Sequence, residues 1–329
     1  MTSFTSSLAA ALSERGAVRW ISWLPPRRAL PPGTHLAGAG ASLVSTGALP
    51  QLELYDRGSW ERAGLALRSC RALLLTLSHP ALFVPYRSLV RAYRHLGARV
   101  VLVCLADALV VHSRSEARLA RTLGGPDLPV FEGFHPVYPE HLARPWPRRP
   151  RTDRILAFGY VRPYKGIEDL VAVLPSLPGV SLDIVGCFRE PAERYARLAR
   201  RHGVQDRVRL VDGYVADERL HEVFGAADLV VAPYRRASQS GAVHLAYSFG
   251  RPVVATAVGG LTDAVVDGDT GYLVPPGDPL ALAAGIRRAL DAPADRFDDG
   301  IRRVVAARSW DRYAELVLDA ASADGRGGA

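Results

Sequence analysis

The stretch RILAFGYVRPYKGIEDL (154–170) decides the fold. It opens on a short apolar run, breaks at Gly159, crosses a loop carrying Arg162 and Lys165, and enters a helical period at Gly166. That is a strand, a tight turn and a helix in succession. The same unit recurs downstream. Strands are expected near 180–186, 207–213, 227–234 and 251–258, with helical stretches at 166–175, 190–202, 216–225, 241–249 and 278–291. Near-continuous apolar strands alternating with helices predict a parallel sheet covered on both faces, hence a doubly wound α/β domain whose ligands bind at the carboxyl ends of the strands.

Upstream the same class continues less completely. A helix over 3–15 leads to a strand at 17–23, and later come a strand at 71–78, a helix over 84–96, strands at 98–104 and 106–113, and a helix over 114–123. Two parallel neighbours need a crossover of about a dozen residues or more, yet Cys104 and Ala106 leave almost nothing between the last two apolar runs. The Pro/Arg-rich segment HLARPWPRRPRTD (141–153) reads as a linker between two domains. Past residue 294, two more helical stretches and a Gly-rich end are expected.

Composition narrows the function classes. With 329 residues, 48% hydrophobic and 22% charged, the chain is an ordinary globular protein of about two domains. The net charge of +8 is uneven: residues 1–150 carry +9 and the remainder −1. A basic half attracts a phosphorylated substrate, anionic lipid or nucleic acid; neither basic–aromatic interleaving nor finger spacing is present, so nucleic acid is not expected. Three separated cysteines, Cys70, Cys104 and Cys187, give no disulfide framework or zinc spacing and fit a reducing cytoplasm. The N-terminus carries Glu14 and Arg15 where a signal peptide would stay apolar, and VVLVCLADALVV (100–111) is too short to span a bilayer, so membrane contact would be peripheral.

Of the 41 basic residues only one, Lys165, is lysine. It falls in FGYVRPYKG (158–166), a strand–loop–helix junction where backbone N–H groups and the helix dipole favour an anion. Lysine supplies a compact point charge and Arg162 a planar fork, a pair suited to a diphosphate; a solvated surface loop is the plainer alternative. A second junction, PYRRASQSGAVHLAYSFGRP (233–252), turns through Ser238, Gln239, Ser240 and Gly241 straight into an apolar helix. Helix capping explains its serines equally well, but together the two junctions describe one anion pocket at the edge of one sheet. VGGLTDAVVDGDTGYLVPPGDPLALAAGI (258–286) reads as turns, with Gly259 and Gly260 a place where backbone could approach a ligand. His79 and His112 each end a strand, where either a catalytic group or a satisfied structural histidine fits.

The order and spacing of FGYVRPYKGIEDL, ASQSGAVHLAYSFGRPVVATAVGGLTDAV and DGDTGYLVPPGDPLALAAGI resemble the donor domain of family-4 glycosyltransferases of the GT-B fold, most closely a subgroup with a Gln-Ser-Gly turn. The match is specific across about 155–290; upstream, SFTSSLAAALSERG, the LSHP strand end and LADALVVHSRSE resemble pieces of the acceptor domain. The resemblance implies two Rossmann-like domains: an acceptor-side domain over 1–140, shortened, the linker 141–153, a donor-binding domain over 154–293, and C-terminal helices with a frayed tail over 294–329. It implies transfer of a sugar from a nucleotide diphosphate donor with retention of configuration and no metal or other cofactor.

Carried over by motif, Arg162 and Lys165 are the catalytic cations on the diphosphate. Gly159, Gln239, Ser240 and Gly241 are donor-binding, Gly213 and Tyr214 border the nucleobase, and His79 and His112 stand on the acceptor side. The expected acceptor is a cell-envelope polysaccharide or lipid-linked glycan, with the enzyme cytoplasmic and peripheral on an anionic membrane. Departures are specific. Ala237 and Leu245 stand where most members carry two glutamates, Tyr160 stands in place of the arginine after the motif glycine, and the chain starts inside the pattern's first helix. A histidine-bearing acceptor segment is expected between Cys104 and Leu105. The rival reading is a non-catalytic nucleotide-sugar-binding or scaffolding protein; a nucleotide-sugar epimerase is a more distant third.

Overall fold

The computed structural model describes residues 109–124, 129–138, 151–237 and 239–322, together with short strands at 21–22, 35–36, 51–53 and 74–76. The chain divides into two units, Met1–Phe134 with Trp310–Ala329, and His135–Ser309. In the first, three parallel strand pairs are described: β1 (Ile21–Ser22) with β2 (His35–Leu36), β3 (Gln51–Glu53) with β4 (Leu74–Thr76), and β5 (Leu109–Val111) with β6 (Val130–Glu132). Helix α1 (Arg114–Gly124) begins on Ser113, whose Oγ accepts from the Glu116 N–H at 3.2 Å, while the Glu116 carboxylate accepts from the His112 N–H at 3.0 Å. The expected helices at 3–15 and 84–96, the strand at 98–104, the Cys104–Leu105 junction and His79 lie outside the described residues.

The second unit is the expected doubly wound domain. Strands β7 (Arg154–Phe158), β8 (Ser181–Gly186), β9 (Val208–Asp212), β10 (Leu229–Ala232), β11 (Val253–Thr256) and β12 (Gly271–Val274) form one parallel sheet in the order β12-β11-β10-β7-β8-β9. Every residue of β10 and β11 is buried, which is why those runs are apolar without alternation. The intervening helices are α2 (Ile167–Val173), α3 (Glu193–Arg201), α4 (Leu220–Ala226), α5 (Gly241–Ser248) and α6 (Leu261–Ala264), followed by α7 (Pro279–Asp291). Helix α7 has Pro279 in its first turn and the Asp278 carboxylate accepting from Ala281 N–H at 2.9 Å, a complete N-terminal stop signal.

Two findings differ from expectation. Strand β12 lies inside the segment 258–286 that was read only as turns. The segment 294–329 is shared between units: α8 (Asp298–Ala307) belongs to the second, whereas α9 (Trp310–Ser322) returns to the first. Its Tyr313 is fully buried, bonded to His112 and edge-on to Phe134. The expected double winding is explicit in the sheet order: β7, β8 and β9 run outward in chain order, the chain then reverses, and β10 adds to the other side of β7. The gap between β7 and β10 is the topological switch point, where the loops after neighbouring strands diverge and leave a crevice.

Candidate functional site

Both candidate loops open at that switch point. The loop after β7 runs from Gly159 through a single 3-10 turn, Pro163–Lys165, into α2; the loop after β10 runs from Pro233 to the start of α5. The two are tied together. The Arg235 N–H donates to the Tyr164 carbonyl at 2.8 Å, and the Arg235 guanidinium grips Asp169 of α2 through Nε and Nη2 at 3.1 and 2.9 Å. That fork raises the Arg235 pKa through its hydrogen bonds to Asp169. The two junctions therefore lie side by side at the carboxyl ends of the two central strands.

Lys165 is only 9% exposed. Its Nζ donates to the Phe158 carbonyl at 3.2 Å and lies 5.0 Å from the centre of the Tyr234 ring. Among the described residues no carboxylate is within ion-pair distance of it. Burying an ammonium costs several kcal/mol, about, unless charge compensates it, and one carbonyl plus a ring face compensate only part. An anion arriving at the loop would supply the rest. Tyr234, which sequence reading did not single out, joins the two junctions: its ring faces Lys165 and its hydroxyl meets the Ser240 Oγ at 3.1 Å. Ser240 is thereby turned away from capping; it is the N-cap of α5 and makes no side-chain cap bond. The first-turn amides of α5 consequently face the crevice without a side-chain acceptor from their own cap.

The remaining residues divide by position. Gly159 ends β7 with φ of +100°, and a side chain there would come within 3.2 Å of Lys165 Nζ. Gln239 Oε1 faces His244 Nε2 at 3.3 Å, and His244 stacks flat on His135 with centroids 4.5 Å apart. Burial lowers the His135 pKa to about 4, against a backbone hydrogen bond to Pro136 that raises it. Gly241 lies close to the Tyr138 hydroxyl, 3.1 Å from where a Cβ would stand. Gly213 and the exposed Tyr214 end β9, two strands from β7, so about 10 Å away along the sheet. His112 belongs to the other unit, buried, with Nε2 2.8 Å from the Tyr313 hydroxyl. Gly259 does not leave room for a ligand: a Cβ there would collide with the Ala237 carbonyl, so the glycine serves the packing of one loop on another.

Comparison with known proteins bears on the same region. Residues 152–292 match the family described as glycosyl transferases group 1. This part of the chain is therefore similar to that family. A D-inositol 3-phosphate glycosyltransferase from Xylanimonas cellulosilytica is 35% identical over 239 residues, 66% of this chain and 57% of that protein. The chain thus spans a little over half of that relative's length. Among solved structures, sucrose-phosphate synthase from Thermosynechococcus elongatus superposes with a TM-score of 0.69 at 22% identity, covering 96% of this chain and 91% of that one. Anabaena Alr3699/HepE in complex with UDP-glucose gives 0.62 at 19% identity, covering 82% and 78%. These likenesses show the GT-B fold.

Within the matched region, the two positions where the family pattern usually has glutamate are occupied structurally. Leu245 is buried in the core of α5, and the Ala237 carbonyl presses on Gly259. Among the described residues no group of three or more His, Cys, Asp or Glu side chains is placed to hold a metal ion, and no helix is long and apolar enough to cross a membrane.

Proposed function

We propose that the chain is a retaining glycosyltransferase that takes a sugar from a nucleotide diphosphate donor. The observation that carries this reading is Lys165, a buried ammonium with no carboxylate partner among the described residues, set at the switch point beside the start of α5, whose N-cap Ser240 makes no side-chain cap bond. The family match over 152–292 and a structural neighbour holding UDP-glucose support the same donor class. Lys165 and Arg162 would hold the diphosphate, with the amides of Ser240 and Gly241 on its other side. Gly159 and Gln239 would border it, and Gly213 and Tyr214 would reach the nucleobase.

In the reaction the bond from the anomeric carbon to the leaving phosphate oxygen breaks. The acceptor hydroxyl forms the new bond on the same face and passes its proton to that phosphate oxygen, releasing the nucleoside diphosphate. No protein nucleophile or metal is required; the cations stabilise charge as it develops on the leaving group. For the acceptor we favour a cell-envelope polysaccharide or lipid-linked glycan, reached from the cytoplasmic side by peripheral contact of the basic first half with an anionic surface.

Calorimetry with UDP- and GDP-sugars, paired with donor hydrolysis and transfer assays, tests this reading. Binding and turnover are expected, and Lys165→Ala should lower turnover by about 10²–10³-fold. Turnover equal to wild type would remove Lys165 from the site. A second reading is favoured by Leu245 and Ala237, which leave the usual glutamate positions without carboxylates: a nucleotide-sugar-binding protein without transferase activity. Tight binding with no turnover on any acceptor would establish it.

A further inference from the structure

The pairing of β7 with β8 continues beyond both strands. Val161 bridges Phe188 in parallel, the Val161 N–H donating to the Cys187 carbonyl at 2.9 Å and the Arg189 N–H donating to the Val161 carbonyl at 3.1 Å. Continuing that register by one residue makes Arg162 and Arg189 cross-strand neighbours. The ring of Tyr160 serves both: the Arg162 guanidinium carbon is 5.7 Å from its centre and that of Arg189 is 5.9 Å. Like charges at neighbouring positions across a ladder destabilise it unless something offsets them. Among the described residues neither arginine forms an ion pair, and the buried Nε of Arg162 has no hydrogen-bond partner. The carboxylates nearby in sequence are engaged elsewhere, since Arg194 takes Glu190 at 3.5 Å and Glu168 at 3.3 Å. That double link also fastens the segment carrying Arg189 to α2, directly after Lys165.

We infer that Arg189 is a second guanidinium of the diphosphate site, held beside Arg162 by the Tyr160 ring. The arrangement gives three uncompensated cations, Arg162, Lys165 and Arg189, at the ends of two adjacent strands, matching an anion of two to three charges. It also explains why a tyrosine follows Gly159: the ring replaces an arginine at that position by organising two others. The inference rests on the reading of the crevice as a nucleoside diphosphate site.

The test is calorimetry of the full chain with UDP, GDP, uridine and guanosine. Arg189→Ala should raise the Kd of whichever diphosphate binds by about tenfold, equivalent to about 1.4 kcal/mol, and leave nucleoside affinity unchanged; Arg189→Lys should fall between. Tyr160→Phe should bind as wild type and Tyr160→Ala should weaken diphosphate binding severalfold, because the ring face and not the hydroxyl positions the cations. If Lys165→Ala weakens diphosphate binding while Arg189→Ala does not, the inference fails and the site stands. If Tyr160→Phe loses as much as Tyr160→Ala, the positioning role of the ring fails. If the wild-type chain binds neither diphosphate, the reading of the crevice itself fails and the inference with it.

Discussion

At the residue scale the lone lysine and the glycine before it act as a pair. Gly159 adopts φ of +100°, and its missing side chain leaves space for the Lys165 ammonium to reach the Phe158 carbonyl. Gly159→Ala should cost about 1–3 kcal/mol in backbone strain and push the ammonium off its carbonyl. The expected result is a lower melting temperature together with about tenfold weaker diphosphate binding, measured on one preparation; a variant with unchanged affinity would show that this contact does not set the lysine. His135 makes a second prediction. Enclosure favours its neutral ring, so the folded pKa is about 4 against 6.5 unperturbed. The unfolded chain therefore takes up the proton first. Stability from this group is complete above pH 6.5 and is lost as pH falls toward 4, with a slope of at most about 1.4 kcal/mol per pH unit. Denaturant unfolding at several pH values should show a flatter profile for His135→Gln; identical profiles would mean that other groups carry the acid response.

At the element scale the site is made by two loops that could not position anything alone. Arg235 and Asp169 clamp the loop after β10 to α2, yet both side chains are substantially solvent-exposed. Such a pair contributes only about 0–1 kcal/mol to stability. Arg235→Ala should consequently leave the melting temperature nearly unchanged while weakening diphosphate binding severalfold, and Asp169→Asn should do the same without adding to it in the double variant. Additive losses would show that the two residues act separately. A half-buried tie of the same kind serves the sheet instead: the buried Asp183 on β8 is held by the exposed Arg209 through Nε and Nη2 at 3.0 and 2.7 Å.

For the whole molecule, the sheet order matters more than any single element. Six parallel strands in another order would carry the same loops without bringing the two candidate loops to neighbouring strand ends. The charge asymmetry belongs to this scale as well. Residues 1–150 carry a net +9, and such a field is screened over about 8 Å at physiological salt. The chain should co-sediment with vesicles of phosphatidylglycerol and phosphatidylcholine at low ionic strength and leave them at about 0.5 M salt; equal binding to pure phosphatidylcholine vesicles would show that charge is not the cause.

What could be read from the sequence was what local chemistry dictates. Strands β7, β8, β10 and β11 announced themselves because parallel strands buried on both faces must be apolar throughout, whereas β9, at the sheet edge, is mostly exposed. Lys165 stood out because a chain otherwise built with arginine had placed its single lysine at a strand–helix junction. Strand β12 was hidden by its own glycine. Gly271, with φ of +146°, packs against the Val253 backbone where no side chain fits, and among Asp, Gly and Pro neighbours it looks like a turn former. In the first unit β1, β4 and β5 fall inside the strands expected at 17–23, 71–78 and 106–113, whereas β2 and β3 were not anticipated. Tyr234 and Arg189 were invisible for a different reason. Nothing in their local sequence marks them, and they matter only because pairing across the sheet brings them to residues many positions away. The sequence by itself determined the class of the domain and its strand–loop–helix junctions, with the lone lysine on one of them. Only the tertiary structure decided how the two junctions come together, with β10 directly beside β7, because strand order is set by long-range packing that no local pattern encodes.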